Sequence, residues 1–203
     1  MPIIDYKKEL KHLYAPSAQA PGLVDVPPLH FLMIDGQGDP NRAPEYAAAV
    51  EMLYALAYAL KFMVKREPSG ADYTVMPLEG LWWGAGIDWH DAGQRADWQW
   101  TMMIMQPELV TVELFEQALA ATRKKKPELA LDRLRFERYD EVRAAQIMHI
   151  GPYAVEGPTV ARLHAFIEQQ GHALRGKHHE IYLGDPRKTA PEKLHTVIRQ
   201  PVG

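Results

Sequence analysis

The 203-residue chain carries 26 acidic and 23 basic residues for a formal net charge of -3, with 47% hydrophobic and 24% charged residues. This is the profile of an ordinary folded domain, without the basic surface that nucleic acid binding demands. The chain has no cysteine, which excludes disulfides, thiol chemistry and zinc–thiolate sites and fits a reducing cytoplasm.

Residues 1–28 read as a polar arm over the surface, with one short helix at about 5–13 and a proline-rich end (Pro16, Pro21, Pro27, Pro28). The first residues have no apolar run of signal-peptide type, so a cytoplasmic location is expected. Leu29 to Ile34 is a buried strand, and Asp35 to Asn41 a turn leading to a helix over 44–66. In that helix Tyr46, Val50, Leu53, Ala57, Leu60 and Val64 recur at helical spacing. Glu51 and Lys61 interrupt the stretch, so no membrane span is expected. Gly36-Gln37-Gly38 imitates a dinucleotide fingerprint, but Asn41 holds the third glycine position, and no nucleotide cofactor is assigned. Strands over 72–83 and 98–107 follow, joined by a loop with Asp88, Trp89, Asp91 and Gly93, and then a helix over 111–124 capped by Thr111. The basic run 123–126 suits the end of that helix. Strands are then expected over 131–139 and 145–150, a helix from Pro158 closed by Gly171, and strands over 177–183 and 195–202.

The order strand, helix, strand, strand occurs twice. This predicts an α+β domain over 29–203, built from half-modules at about 29–130 and 131–203. Their pseudo-two-fold symmetry places antiparallel sheet around a central ligand groove.

Three features carry chemistry. In the strand His178-His179-Glu180-Ile181-Tyr182-Leu183, alternation puts His178, Glu180 and Tyr182 on one face. The other set is more apolar and is expected to face the helices. A carboxylate mid-strand needs hydrogen bonds or solvent, or else its pKa rises and it becomes a general base near neutral pH. The plain alternative is a cross-strand ion pair. Second, all five tryptophans fall between positions 82 and 100. Trp98, Trp100, Met102 and Ile104 share a face, a lining suited to flat hydrophobic ligands or cations, or an ordinary core. Third, Glu156 precedes a helix, where a carboxylate serves as a cap or as a second acid beside the groove, and His149 is a proton donor or a satisfied sheet histidine. His178 and His179 point to opposite faces, so no metal site is assigned.

Four segments together resemble the GyrI-like small-molecule-binding proteins: Met76 to Trp83, Trp100 to Pro107, Gln146 to Tyr153 and Gly176 to Leu183. The similarity is to the stand-alone branch, which lacks a DNA-binding helical domain. It implies tandem modules of the type called SHS2 and a groove in which a late-strand Glu, here Glu180, meets the ligand. It also implies hydrolysis of cyclopropane-containing DNA-alkylating compounds, with no cofactor and no membrane or nucleic-acid partner. On this reading Glu180 is the base, helped by Glu156, and Tyr182, Tyr153 or His149 is the donor. Trp82, Trp83, Trp98, Trp100, Met105 and Tyr153 would hold the ligand. The alternative is a non-catalytic protein that sequesters planar or cationic drugs.

Overall fold

A computed structural model describes residues 3–68, 70–84 and 97–203. The loop expected around Asp88, Trp89, Asp91 and Gly93 lies outside the described residues. The arm forms β1 (Ile3–Ile4), the short helices α1 (Tyr6–Glu9) and α2 (Lys11–Tyr14), and β2 (Gly22–Val26). The first module supplies β3 (Leu29–Gln37), α3 (Pro44–Val64), β4 (Asp72–Tyr73), β5 (Leu78–Trp83), β6 (Gln99–Gln106) and α4 (Val112–Lys125). The second supplies β7 (Arg135–Tyr139), β8 (Val142–Ile150), α5 (Gly157–Gln169), β9 (His178–Tyr182) and β10 (His195–Pro201).

Local chemistry sets several boundaries. The Thr111 hydroxyl accepts from the Leu114 N–H at 3.3 Å and starts α4 as expected. Gly171, at φ +74°, follows the last turn of α5. The single strand expected over 72–83 is two: β4 runs parallel to β1, and β5 begins after Pro77, which has no N–H for a ladder.

Eight strands form one sheet in the order β2-β8-β10-β9-β5-β6-β3-β7, and every pair in it is antiparallel. Read outward from the central β9–β5 pair, the sheet runs β9, β10, β8 on one side and β5, β6, β3 on the other, the same order of strand–helix–strand–strand units, and each side ends on an edge strand, β2 or β7. The pseudo-two-fold repeat is therefore written into the pairing. The edges are exchanged: β2 leads into β3 through Pro27-Pro28, and β7 leads into β8 through Asp140-Glu141. Three peptide steps span at most about 11 Å, whereas six strand intervals in a flat sheet would separate β2 from β3 by about 29 Å. Connectivity alone thus requires the sheet to curl into a half-barrel.

The curl gives the sheet an outer and an inner face. On the outer face α3 packs on β3 and β6, and α5 packs on β8 and β10. α3 has the length and hydropathy of a membrane span, but it lays Met52, Leu53, Leu56 and Leu60 on the sheet. Between the helices the β9–β5 strip floors a groove. The inner face is closed by the arm, which does not lie over the surface: Leu13 and Tyr14 are 0% and 3% exposed.

The inner face also holds a buried polar chain. The Tyr14 hydroxyl donates to Glu79 Oε1 at 2.8 Å. His179 reaches Glu79 through Nε2 and Glu141 through Nδ1, both at 2.9 Å. Arg199 donates to Glu141 at 3.2 Å, to Gln146 at 3.1 Å and to the Leu13 carbonyl at 2.7 Å. Carboxylates only accept, so both His179 nitrogens carry protons and the ring is a cation. Burial works against that charge, but Glu141 and Glu79 prevail and lift His179 to about 9. Burial likewise works against ionised Glu141, yet His179 and Arg199 hold it at about 2. This chain overturns the expectation that the His179 face of β9 meets the helices. Polar residues that neutralise one another occupy the interior, so apolarity along one strand does not tell inside from outside.

Candidate functional site

Glu180 sits mid-strand in β9, opposite Gly80 of β5 and Ile198 of β10. Its side chain is 12% exposed on the outer face, where Ile198 packs with Val160, Leu163 and Ile167 of α5. Its two oxygens have separate donors. Oε1 lies 3.1 Å from His178 Nε2, and Oε2 accepts from the Tyr182 hydroxyl at 2.8 Å. Tyr182 in turn accepts from Trp82 Nε1 at 2.9 Å.

The rest of the wall is aromatic. Tyr46, from the first turn of α3, stacks over Trp82 with centroids 6.2 Å apart and an interplanar angle of 25°. It meets Trp100 edge to face at 5.4 Å, and Trp98 meets Trp82 in the same manner at 5.6 Å. Two glycines make this packing possible. A Cβ on Gly36 would lie 2.1 Å from the Trp100 ring, and one on Gly80 would lie 2.4 Å from Met102 Cε and 2.7 Å from Trp82 Nε1. Tyr153 meets Tyr182 edge to face at 5.5 Å from the α5 side.

Glu156 stands at the head of α5 but does not cap it. Its carboxyl instead lies beside Glu180 and interacts with it. Burial pushes Glu180 up, but its interactions with His178, Tyr182 and Glu156 outweigh it and hold Glu180 below its ordinary value. The sequence allowed for a raised Glu; here the shift is downward because donors surround it. With a donor on each of its oxygens, Glu180 is held ionised. Burial, with Glu180 and Glu156 nearby, raises Tyr153 to about 12, and burial raises Tyr46 and Tyr182, so these phenols stay protonated.

The structure brings Glu180, Glu156, Tyr182, Tyr153, Trp82, Trp98 and Trp100 together. His149 is on the same face but engaged. Its Nε2 faces the Pro152 carbonyl at 3.4 Å, which only accepts, leaving Nδ1 to accept from Thr159 at 2.9 Å. Burial lowers its pKa, so it is a neutral strut for the turn carrying Tyr153. Trp83 and Met105 are not gathered, because alternation turns both to the inner face. Met105 is 2% exposed in the core, and Trp83 has Lys177 Nζ 3.3 Å above its ring. Tyr46 is the residue that sequence reasoning missed, since its place in the helical stripe of α3 reads as core.

Comparison with known proteins agrees with this architecture. The sequence matches the GyrI-like small molecule binding domain over residues 19–202. An uncharacterized conserved protein from Listeria innocua is 45% identical, with a TM-score of 0.91 over 98% of this chain and 100% of that one. A hydrolase from Listeria innocua is 44% identical, with a TM-score of 0.89 over 100% of both chains. The EcmrR C-terminal domain shares the fold at 11% identity, with a TM-score of 0.55 over 90% of this chain and 96% of that one. No curated protein matches the sequence. The chain belongs to the GyrI-like small molecule binding domain family.

Proposed function

We propose that this protein is a hydrolase that detoxifies planar, cyclopropane-containing alkylating compounds by adding water across the strained ring. The observation that carries the reading is Glu180, with a donor on each carboxylate oxygen and Glu156 beside it, on the floor of an aromatic groove. The similarity to a Listeria innocua hydrolase, 44% identical over 100% of both chains, supports it.

In a spirocyclopropane conjugated to a dienone, Glu180 takes a proton from water as the water oxygen bonds to the ring methylene. The ring carbon–carbon bond breaks, and its electrons pass through the dienone to the carbonyl oxygen, which becomes a phenolate. A hydrogen-bond donor stabilises that oxygen, which then takes up a proton, and Glu180 returns the proton it took from water to solvent. Tyr153, a phenol kept protonated beside Glu180, is the group suited to donate. Tyr182 already donates to Glu180. The sum is one water gained: hydroxyl on carbon, hydrogen on oxygen. The Tyr46–Trp82 stack and Trp98 orient a flat substrate.

The test follows the dienone absorbance and the product mass. The expected result is a gain of one water, with turnover falling about 10²- to 10⁴-fold in Glu180→Gln. A second reading, sequestration of planar or cationic drugs, is favoured by the ionised Glu180 among aromatic rings. Tight binding with the ligand recovered unchanged selects it over hydrolysis.

A further inference from the structure

His178 stands two residues before Glu180 on the same face of β9, opposite Trp82 of β5. Its side chain is 3% exposed, a quarter of the exposure of Glu180, so the imidazole is buried on the groove side of the sheet. An ionised carboxylate only accepts, so the 3.1 Å contact to Glu180 Oε1 is a donation from Nε2–H, whether the ring is neutral or charged. Tyr182 holds the other oxygen at 2.8 Å. The last torsion of a Glu side chain is broad and roughly two-fold, so one donor leaves the carboxylate free to swing while two donors, one per oxygen, fix its plane.

We propose that His178 is a positioning residue: its Nε2–H, working with Tyr182, locks the rotation of Glu180 so that the carboxylate meets Glu156 and the groove at once. The kinetic consequence rests on the hydrolase reading above; the locking itself is a property of the hydrogen bond. His178 touches no substrate in this scheme and acts only through Glu180.

Two substitutions separate donor from bulk. His178→Phe keeps a ring and removes the donor, while His178→Gln returns an amide N–H at similar reach. The infrared difference between wild type and Glu180→Gln isolates the Glu180 carboxylate band. That band should shift in His178→Phe and return in His178→Gln. In parallel, kcat on the spirocyclopropyl dienone should fall about 10- to 100-fold in His178→Phe, with KM little changed, and recover in His178→Gln. If His178→Phe does not fold, His178→Asn, whose shorter amide falls short of Glu180, replaces it. A band that stays in place without the donor, or a Gln variant as impaired as Phe, overturns the proposal. Wild-type protein that binds the dienone without turnover overturns the hydrolase reading instead, and the infrared band then decides the positioning role.

Discussion

A methyl group at residue 80 would collide with Met102 Cε and Trp82 Nε1, the latter at 2.7 Å. Trp82 Nε1 is the donor that holds Tyr182, and Tyr182 holds Glu180. Gly80→Ala is therefore expected to displace Trp82, weaken binding of a planar ligand and lower stability by about 1–3 kcal/mol through overpacking. Urea unfolding and tryptophan fluorescence check this, with Gly22→Ala as the control, since nothing lies within 4 Å of a Cβ there. An unchanged Trp82 environment in Gly80→Ala would remove the steric role assigned to this glycine. At this scale the site was partly legible. Strand alternation placed Glu180 with Tyr182, and Trp98 with Trp100, correctly. The same parity rule separates Trp82 from Trp83 and Met102 from Met105, and applied along both strands it would have set Trp83 and Met105 apart. Glu156 read equally as a cap, because a carboxylate before a helix looks the same whether it turns to the backbone or to a neighbouring acid.

At the scale of the element, β9 serves both faces: Glu180 looks out to the groove and His179 looks in to Glu79 and Glu141. The inner ionisations tie stability to pH. His179 is raised from 6.5 to about 9 in the folded state, so its contribution is complete below 6.5 and is lost as pH rises through about 9. Glu141 is depressed from 4.5 to about 2, so its contribution is complete above 4.5 and is lost as pH falls through about 2. From these two groups the stability plateau is expected between about 4.5 and 6.5. Denaturation midpoints measured across pH should decline on both sides of that window. Removing one partner of a buried charge pair leaves the other uncompensated, so Glu141→Ala should cost about 3–5 kcal/mol. An alkaline limb that persists unchanged in a folded His179→Gln variant would show that another group sets it. This network was not legible in the sequence. Tyr14, Glu79, Glu141, His179 and Arg199 are spread over nearly the whole chain, and no local pattern joins them.

For the whole molecule, the repeated order of elements was readable because each module carries its own helical and alternating periodicities. The curl of the sheet and the place of the arm were not, since they follow from the exchange of β2 and β7 between modules, a long-range pairing without a local signature. The consequence is a prediction about truncation. The family match begins at residue 19, which invites the inference that the preceding residues are dispensable. The structure argues otherwise. Leu13 and Tyr14 are buried in the inner core, the Leu13 carbonyl accepts from Arg199 and the His12 carbonyl from Gln146, and the Ser17 carbonyl accepts from the Met148 N–H. Removing residues 1–18 would open the inner face to water and strip donors and acceptors from groups that have no route to solvent in the intact fold. The truncated chain should therefore lose its single cooperative unfolding transition and bind a dye specific for exposed apolar surface. The milder Tyr14→Phe, which withdraws only the hydroxyl from Glu79, should remain folded and lose about 1.5–3 kcal/mol. A truncated protein that unfolds as cooperatively as the full chain would mean that the half-barrel holds its interior without the arm, and that Tyr14 is a passenger on Glu79, not part of its support.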